Sequence, residues 1–194
     1  MKVLGIAGSP RRKGNTDLLL AEFLRGAENR GVEVKTLVLD EMTIAFCQHC
    51  DACMKTGRCK IQDEMQMVYR ELESADGIVL ASPIQFSGLS GQMKTMIDRC
   101  QALWSRKYVL KIPPLGDTRE RKGFFISVGG RRTPNLFEPA LATVKAFFAV
   151  LDVKFVGQLL FSAVDEKGEI LKHPDAMRQA FEAGQKFVAD STTA

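Results

Sequence analysis

The chain has 194 residues, a length that predicts one compact domain with a core large enough to need no disulfide bonds. Its formal net charge of +4 is modest and its basic and acidic residues are interspersed, which argues against a nucleic-acid-binding protein. No apolar run approaches the roughly 18 residues of a membrane span and the N-terminus has no signal-peptide pattern, so we expect a cytoplasmic protein with no membrane partner.

Predicted strands and helices alternate along the chain. Short apolar runs bounded by turn residues predict strands over 2–7, 32–39, 77–81, 124–128 and 153–161. Apolar residues at helical spacing predict helices over 20–27, 61–72, 93–100, 137–151 and 177–188. The alternation predicts an α/β fold over 1–194, a single domain with a doubly wound five-stranded parallel sheet and helices on both faces. A cysteine-rich loop at 41–60 and an irregular connection at 105–122 interrupt the pattern.

Ligands of such sheets bind beyond the carboxyl ends of the strands. We therefore expect the site in the segments that follow the strands, which are 8–16, 40–60, 82–91 and 129–135.

The segment after the first strand has the composition of a phosphate-binding loop. Small residues permit tight turns, hydroxyl and guanidinium groups donate hydrogen bonds, and a helix N-terminus follows. The candidate phosphate ligands are Ser9, Arg11, Lys13, Gly14, Asn15 and Thr16. Because Asn15 stands where a P-loop has its lysine, and no G-x-G-x-x-G follows the strand, a mononucleotide is favoured over ATP or a dinucleotide. The alternative is a basic turn before a capped helix.

The segment after the third strand is suited to a planar heterocycle. Pro83 fixes its own φ and Gly88 permits an unusual turn, so backbone N–H groups can face a flat ring. The candidates here are Pro83, Ile84, Gln85, Phe86, Ser87 and Gly88. Phe86 is either an apolar wall of the site or a core or interface residue. Gly129 and Gly130 follow the fourth strand. They are expected either to approach the ring from its other side or simply to form the turn that ends the strand.

The cysteine loop carries four thiols in the compact spacing Cys47-x2-Cys50-x2-Cys53-x5-Cys59. Four thiolates suit tetrahedral zinc or an iron–sulfur cluster, and the two successive x2 gaps are closer to cluster motifs than to zinc knuckles. Free thiols are the alternative. The fifth cysteine, Cys100, has helical spacing with apolar neighbours and is expected to be an ordinary buried thiol.

Three segments carry a family resemblance: GSPRRKGNT, the cysteine loop, and ADGIVLASPIQFSGLSGQMKTMIDR. In this order they resemble the NADPH-dependent FMN reductase family, and within it the iron–sulfur flavoprotein branch. The resemblance covers nearly the whole chain. It implies a flavodoxin-like fold, bound FMN, and assembly as a homodimer or homotetramer.

The same resemblance implies roles for residues. Ser9, Arg11, Asn15 and Thr16 match the positions that hold the FMN phosphate, and the segment 82–88 matches the one that wraps the isoalloxazine ring. Gln85 stands where the family often has Tyr, a departure that leaves backbone contacts to the ring possible. The four cysteines of the loop match the ligands of a [4Fe–4S] cluster.

A further match is the K-x-x-x-D-R pattern formed by Lys94, Asp98 and Arg99. Lys94 and Asp98 are four residues apart, so they share a helix face and are expected to pair. We expect this pattern to be structural rather than catalytic. No catalytic acid or base is required, because hydride transfer is the chemistry of the flavin itself.

These features favour an FMN-dependent electron-transfer oxidoreductase that couples FMN to a [4Fe–4S] cluster. One alternative is an NAD(P)H-dependent FMN or quinone reductase with inert thiols, and a second is a non-catalytic redox or metal sensor. The expected redox partners are NAD(P)H or an acidic electron carrier such as ferredoxin. Residues 105–132 have six more basic than acidic residues, which predicts either a positive rim at the flavin mouth or a solvated loop.

Overall fold

The computed structural model describes residues 1–189. Within them, five strands form one parallel sheet in the order β2-β1-β3-β4-β5. The strands are β1 (Lys2–Ala7), β2 (Glu33–Val38), β3 (Gly77–Ala81), β4 (Arg121–Gly129) and β5 (Val153–Ser162). This strand order is that of the flavodoxin-like fold, so the predicted fold class is confirmed. The predicted domain extends to residue 194, and its last five residues lie outside the described part.

Seven α-helices accompany the sheet in residues 1–189. They are α1 (Asn15–Glu28), α2 (Ala52–Thr56), α3 (Met65–Ser74), α4 (Gly91–Arg99), α5 (Gln101–Tyr108), α6 (Glu138–Val150) and α7 (Ala176–Ala189). One buried cluster joins the sheet to α1 and α7, and a second joins the opposite face to α3, α4, α5 and α6. None of these helices is both long and apolar enough to cross a membrane.

Two of these helices were not predicted from the sequence. The short α2 lies inside the cysteine loop, where no apolar periodicity indicates a helix. The helix α5 begins two residues after α4 ends, because Cys100 between them keeps a near-helical backbone (φ −72°, ψ 6°). The chain therefore bends and continues as helix through the start of the segment predicted to be irregular.

Parallel pairing places the carboxyl ends of the strands at one edge of the sheet. Ala7 pairs with Ala81 of β3 and with Val38 of β2, and Gly129 pairs with Ser162. The loops that leave β1, β3, β4 and β5 therefore meet at this edge.

Helices α1 and α7 touch backbone to backbone. A side-chain carbon at Gly184 would overlap the carbonyl of Phe23, and one at Gly26 would overlap the carbonyl of Phe181. Glycine at both positions is what allows the two helices to pack this closely on one face of the sheet.

The Gly184→Ala variant is expected to lower the free energy of unfolding by about 1–3 kcal/mol, because the added methyl group forces α1 and α7 apart. The matched control is Gly91→Ala, since a side-chain carbon at Gly91 would meet no described atom within 4 Å. Urea unfolding monitored by circular dichroism measures both variants. Equal stability of the two variants would contradict the close contact.

Candidate functional site

The carboxyl edge of the sheet holds a cavity of about 190 Å³. It opens between the loops that follow β1, β3 and β5 and the last residues of β4. Ten of the fourteen residues predicted from the sequence to bind the cofactor line it, and these are Ser9, Arg11, Gly14, Asn15, Thr16, Pro83, Ile84, Gln85, Gly129 and Gly130. The structure thus brings the phosphate-type loop and the heterocycle-type loop to the same cavity.

The loop between β1 and α1 is shaped by short hydrogen bonds. The Ser9 hydroxyl accepts the Arg11 N–H at 3.1 Å, and the Gly14 N–H donates to the Arg11 carbonyl at 2.9 Å. A side-chain carbon at Gly14 would lie 2.7 Å from that carbonyl oxygen, so the turn requires glycine. Gly14 is also the N-cap of α1, and it has no side chain with which to cap the first N–H groups. A helix start of this kind suits an anion.

Two predicted phosphate ligands also hold the loop that follows β5. The Asn15 side chain donates to the Glu166 carbonyl at 2.8 Å and accepts the Ile170 N–H at 3.2 Å. The Arg11 guanidinium donates to the Asp165 carbonyl at 3.0 Å. The amide of Asn15 therefore supports the wall of the cavity, while Arg11 is exposed and can turn toward a ligand.

Sequence reasoning missed the loop after β5. Five residues that were not predicted line the cavity, and these are Pro10, Val128, Val164, Asp165 and Lys167. The sequence did contain a signal for this loop, because the rule that ligands bind at the carboxyl ends of the strands applies to the fifth strand as well. The polar run Asp165 to Gly168, which begins three residues after the end of that strand, marks the segment.

Lys13 lies outside this cavity. Its backbone has a left-handed φ of 54° and its N–H donates to the Asp17 carboxylate at 2.8 Å. Its side chain lines a separate cavity beside Arg12 and Asp17. Lys13 therefore does not join the other predicted phosphate ligands in the cavity at the carboxyl edge.

The segment after β3 is a tight hairpin at the rim of the cavity. Gln85 and Gly88 exchange both backbone hydrogen bonds, at 3.0 and 2.9 Å. Phe86 and Ser87 between them have φ of 46° and 65°, which is the type I′ geometry normally taken by Asn and Gly. The expected unusual turn exists, but Phe86 and Ser87 adopt the left-handed conformation instead of Gly88.

Phe86, Ser87 and Gly88 do not line the cavity as described for residues 1–189. Phe86 is fully exposed, so it is neither a wall of the cavity nor a core residue. Two left-handed residues without glycine store backbone strain, and here they hold an aromatic ring in solvent beside the site.

The basic segment 105–132 does not form one rim. Arg119 pairs with Asp76 at 3.1 Å, and Arg121 is buried at the start of β4. Both therefore lie at the amino edge of the sheet, opposite the cavity. Arg131 and Arg132 are exposed directly after Gly130, and these two are the part of the segment that reaches the carboxyl edge.

The cysteine loop borders a second cavity. Its four thiols, from Cys47, Cys50, Cys53 and Cys59, line this cavity together with the side chain of Arg99. Within residues 1–189, no group of three or more His, Cys, Asp and Glu side chains is arranged to hold a metal ion. The donor set nevertheless fits a thiolate-bound centre, and one N–H of the buried Arg99 has no hydrogen-bond partner in the described residues.

The cysteines differ in their acidity. A hydrogen bond from the Ala52 N–H and the nearby charge of Lys60 lower the pKa of Cys50, which favours its thiolate. Burial raises the pKa of Cys100 well above its ordinary value, so that thiol stays protonated. The prediction that Cys100 is an ordinary buried thiol is confirmed.

The K-x-x-x-D-R pattern is structural in its first two members. The Lys94 ammonium lies 2.7 Å from the Asp98 carboxylate on the exposed face of α4, which confirms the expected pair. Arg99 is buried beside the cysteine loop and lies away from the cavity at the carboxyl edge.

Comparison with known proteins decides the family. Residues 1–166 match the family described as NADPH-dependent FMN reductase. The chain belongs to this family. Membership confirms the predicted family, and it supports the predictions of FMN as a cofactor and of a flavin-dependent oxidoreductase.

Two curated relatives in this family are iron–sulfur flavoproteins. One, from Archaeoglobus fulgidus, is 42% identical over 67% of this chain and 63% of its own length, so the alignment spans less than two thirds of that relative. Another, from Methanocaldococcus jannaschii, is 37% identical over 84% of this chain and 78% of its own length. These names agree with the predicted branch of the family.

A solved structure shares the fold. A protein described as flavone reductase superposes with a TM-score of 0.74 at 21% identity, over all of this chain and 64% of that one. This likeness supports the flavodoxin-like architecture.

Proposed function

We propose that this FMN reductase family member moves electrons between NADPH and an acidic one-electron carrier, with FMN in the cavity at the carboxyl edge and a [4Fe–4S] cluster in the cysteine loop. The observation that carries the proposal is that all four thiols of the compact motif line one cavity. The iron–sulfur flavoprotein relatives support it.

The phosphate of FMN is assigned to the start of α1. Ser9 and Thr16 are buried hydroxyl residues at this end of the cavity, and Arg11 supplies an exposed guanidinium. The ring is assigned to the part of the cavity lined by Gln85 and Gly129. The two segments meet there, because the Ile84 N–H donates to the Val128 carbonyl at 2.8 Å. FMN held here would supply two-electron hydride uptake and one-electron release, and the part of the chain would be to position it.

The cluster is assigned to Cys47, Cys50, Cys53 and Cys59. A [4Fe–4S] centre transfers one electron at a time, which suits a carrier of the ferredoxin type. This assignment stays a prediction, as do the homodimer or homotetramer, the acidic carrier and the cytoplasmic location.

Anaerobic mixing of the protein with NADPH tests the proposal. We expect the flavin band and the broad cluster absorbance both to bleach, and a one-electron carrier to be reduced afterwards. Bleaching of the flavin band alone would overturn the coupling and support the cluster-free FMN or quinone reductase.

Arg131 and Arg132 are expected to attract NADPH. Both are exposed beside Gly130 at the cavity, and clustered positive charge raises the rate of encounter with an anionic ligand. The Arg131→Gln/Arg132→Gln variant should therefore reduce its flavin with NADPH roughly tenfold more slowly at low salt.

Stopped-flow kinetics at several ionic strengths measures this effect. The matched control is Arg30→Gln/Lys154→Gln, which removes two exposed charges near the amino edge of the sheet. Identical rates and salt dependence in both double variants would remove the support for a nucleotide role of the two arginines.

A further inference from the structure

Arg99 ends helix α4 with a side chain that is completely buried, at 0% exposure. A buried guanidinium is costly unless nearly all of its N–H groups have partners. The groups that surround Arg99 therefore indicate which parts of the chain it holds together.

Its partners lie on either side of the four cysteines of the loop. One Nη donates to Asp63 at 2.6 Å and to the Ala45 carbonyl at 2.8 Å. The other Nη donates to the second oxygen of Asp63 at 3.0 Å and to the Ile61 carbonyl at 3.4 Å. Ala45 lies just before Cys47, and the other two partners follow Cys59, so one side chain joins both ends of the loop.

The ion pair is embedded in further hydrogen bonds. Asp63 also accepts the Ala45 N–H at 2.9 Å and the Met65 N–H at 3.1 Å. Burial opposes the ionised form of Asp63, but the hydrogen bonds from Arg99 and Ala45 outweigh it and lower its pKa. The Tyr69 hydroxyl donates to the Arg99 carbonyl at 2.6 Å and fixes the end of α4.

One donor of Arg99 is left over. Its Nε–H is buried and has no hydrogen-bond partner among residues 1–189. Arg99 lines the same cavity as the four cysteines of the loop. A buried unpartnered donor in a native structure calls for an explanation such as a missing ligand, and the four cysteines that line this cavity offer sulfur atoms as acceptors.

We propose that Arg99 is a positioning residue for the iron–sulfur centre. Its guanidinium fixes both ends of the cysteine loop through Asp63, and its Nε–H donates to a sulfur of the bound cluster. This inference rests on the proposed function, because it assigns a role toward the cluster.

Two variants separate charge from geometry. Arg99→Met removes the charge and the planar fork, while Arg99→Lys keeps a charge but lacks the fork and the Nε–H. Changes around metal ligands typically weaken metal binding about 10- to 100-fold, and we expect a loss in this range for Arg99→Met. Arg99→Lys is expected to hold a cluster with a more negative reduction potential, because hydrogen bonds to sulfur raise that potential.

The control is Lys94→Met, which breaks the exposed pair with Asp98 on the same helix. It should keep the iron content and the potential of the unchanged protein. The FMN content of every variant reports whether the fold is intact, because no residue described in 1–189 lines both the FMN cavity and the cysteine cavity. A fully loaded Arg99→Lys variant with an unchanged potential would overturn the donor role of the Nε–H.

A second measurement works without the cluster. In iron-free protein, Arg99→Met should raise the rate at which a maleimide labels Cys53 and Cys59 severalfold, because the loop ends are released. Labelling at the rate of the unchanged protein would overturn the loop-fixing role. If the unchanged protein takes up no iron on anaerobic reconstitution, the proposed cluster and the donor role of the Nε–H are both overturned. The labelling result would then still decide whether Arg99 fixes the loop.

Discussion

The Cys50→Ser variant is expected to lose its iron and sulfide and to keep its FMN. A serine hydroxyl is a much poorer ligand for iron than a thiolate, and Cys50 is the thiol whose pKa is lowered by the Ala52 N–H. None of the four loop cysteines lines the cavity assigned to FMN. NADPH should therefore still reduce the flavin of this variant, while reduction of an acidic one-electron carrier should stop.

Iron, sulfide and flavin analysis of anaerobically purified protein measures the effect. Cys100→Ala is the matched control, because Cys100 is a buried and protonated thiol outside the loop. Full iron content in Cys50→Ser, or equal loss of iron in Cys100→Ala, would contradict the assignment of the loop thiols as ligands.

The Arg11→Ala variant is expected to bind FMN more weakly by about 1.5–3 kcal/mol, which is roughly 10- to 150-fold in the dissociation constant. The interaction that we expect to be lost is a charge-assisted pair of hydrogen bonds to the phosphate. Removal of the 3.0 Å bond from Arg11 to the Asp165 carbonyl also releases the loop after β5.

The neighbouring residue supplies the control. Arg12 pairs with Glu41 at 2.8 Å and Asp17 at 3.0 Å, and it lines a different cavity from the one assigned to FMN. Arg12→Ala should therefore bind FMN almost as tightly as the unchanged protein. Fluorescence titration of FMN compares the two, and equal affinities in both variants would place the phosphate elsewhere.

The sheet was predictable because buried parallel strands are short apolar runs. β1 and β3 have the predicted bounds, β2 is one residue shorter than predicted at each end, and β5 is one residue longer at its carboxyl end. β4 begins three residues earlier than predicted, since Arg121 is a strand residue. Its guanidinium is buried against Asp117 and the carbonyls of Glu73 and Ala75. The two carbonyls lie more than 40 residues away in the sequence, so they leave no local pattern.

The same limit applies to the site. The loop before α1 could be identified because its small and cationic residues lie together in sequence. The hydrogen bonds of Asn15 to Glu166 and Ile170 span more than 150 residues, so the wall they build was not predictable from either segment alone. The role of Arg99 was not predictable for the same reason, because its partners Ala45 and Asp63 belong to a segment that is distant from α4 in the sequence.

The measurement that tests the central claim most directly is the cofactor content of anaerobically purified protein. A coupled FMN and cluster protein predicts about one FMN, four iron and four sulfide per chain, with a broad brown absorbance under the flavin bands. One FMN per chain with no iron, after anaerobic purification and reconstitution, would contradict the account and leave a cluster-free member of the FMN reductase family.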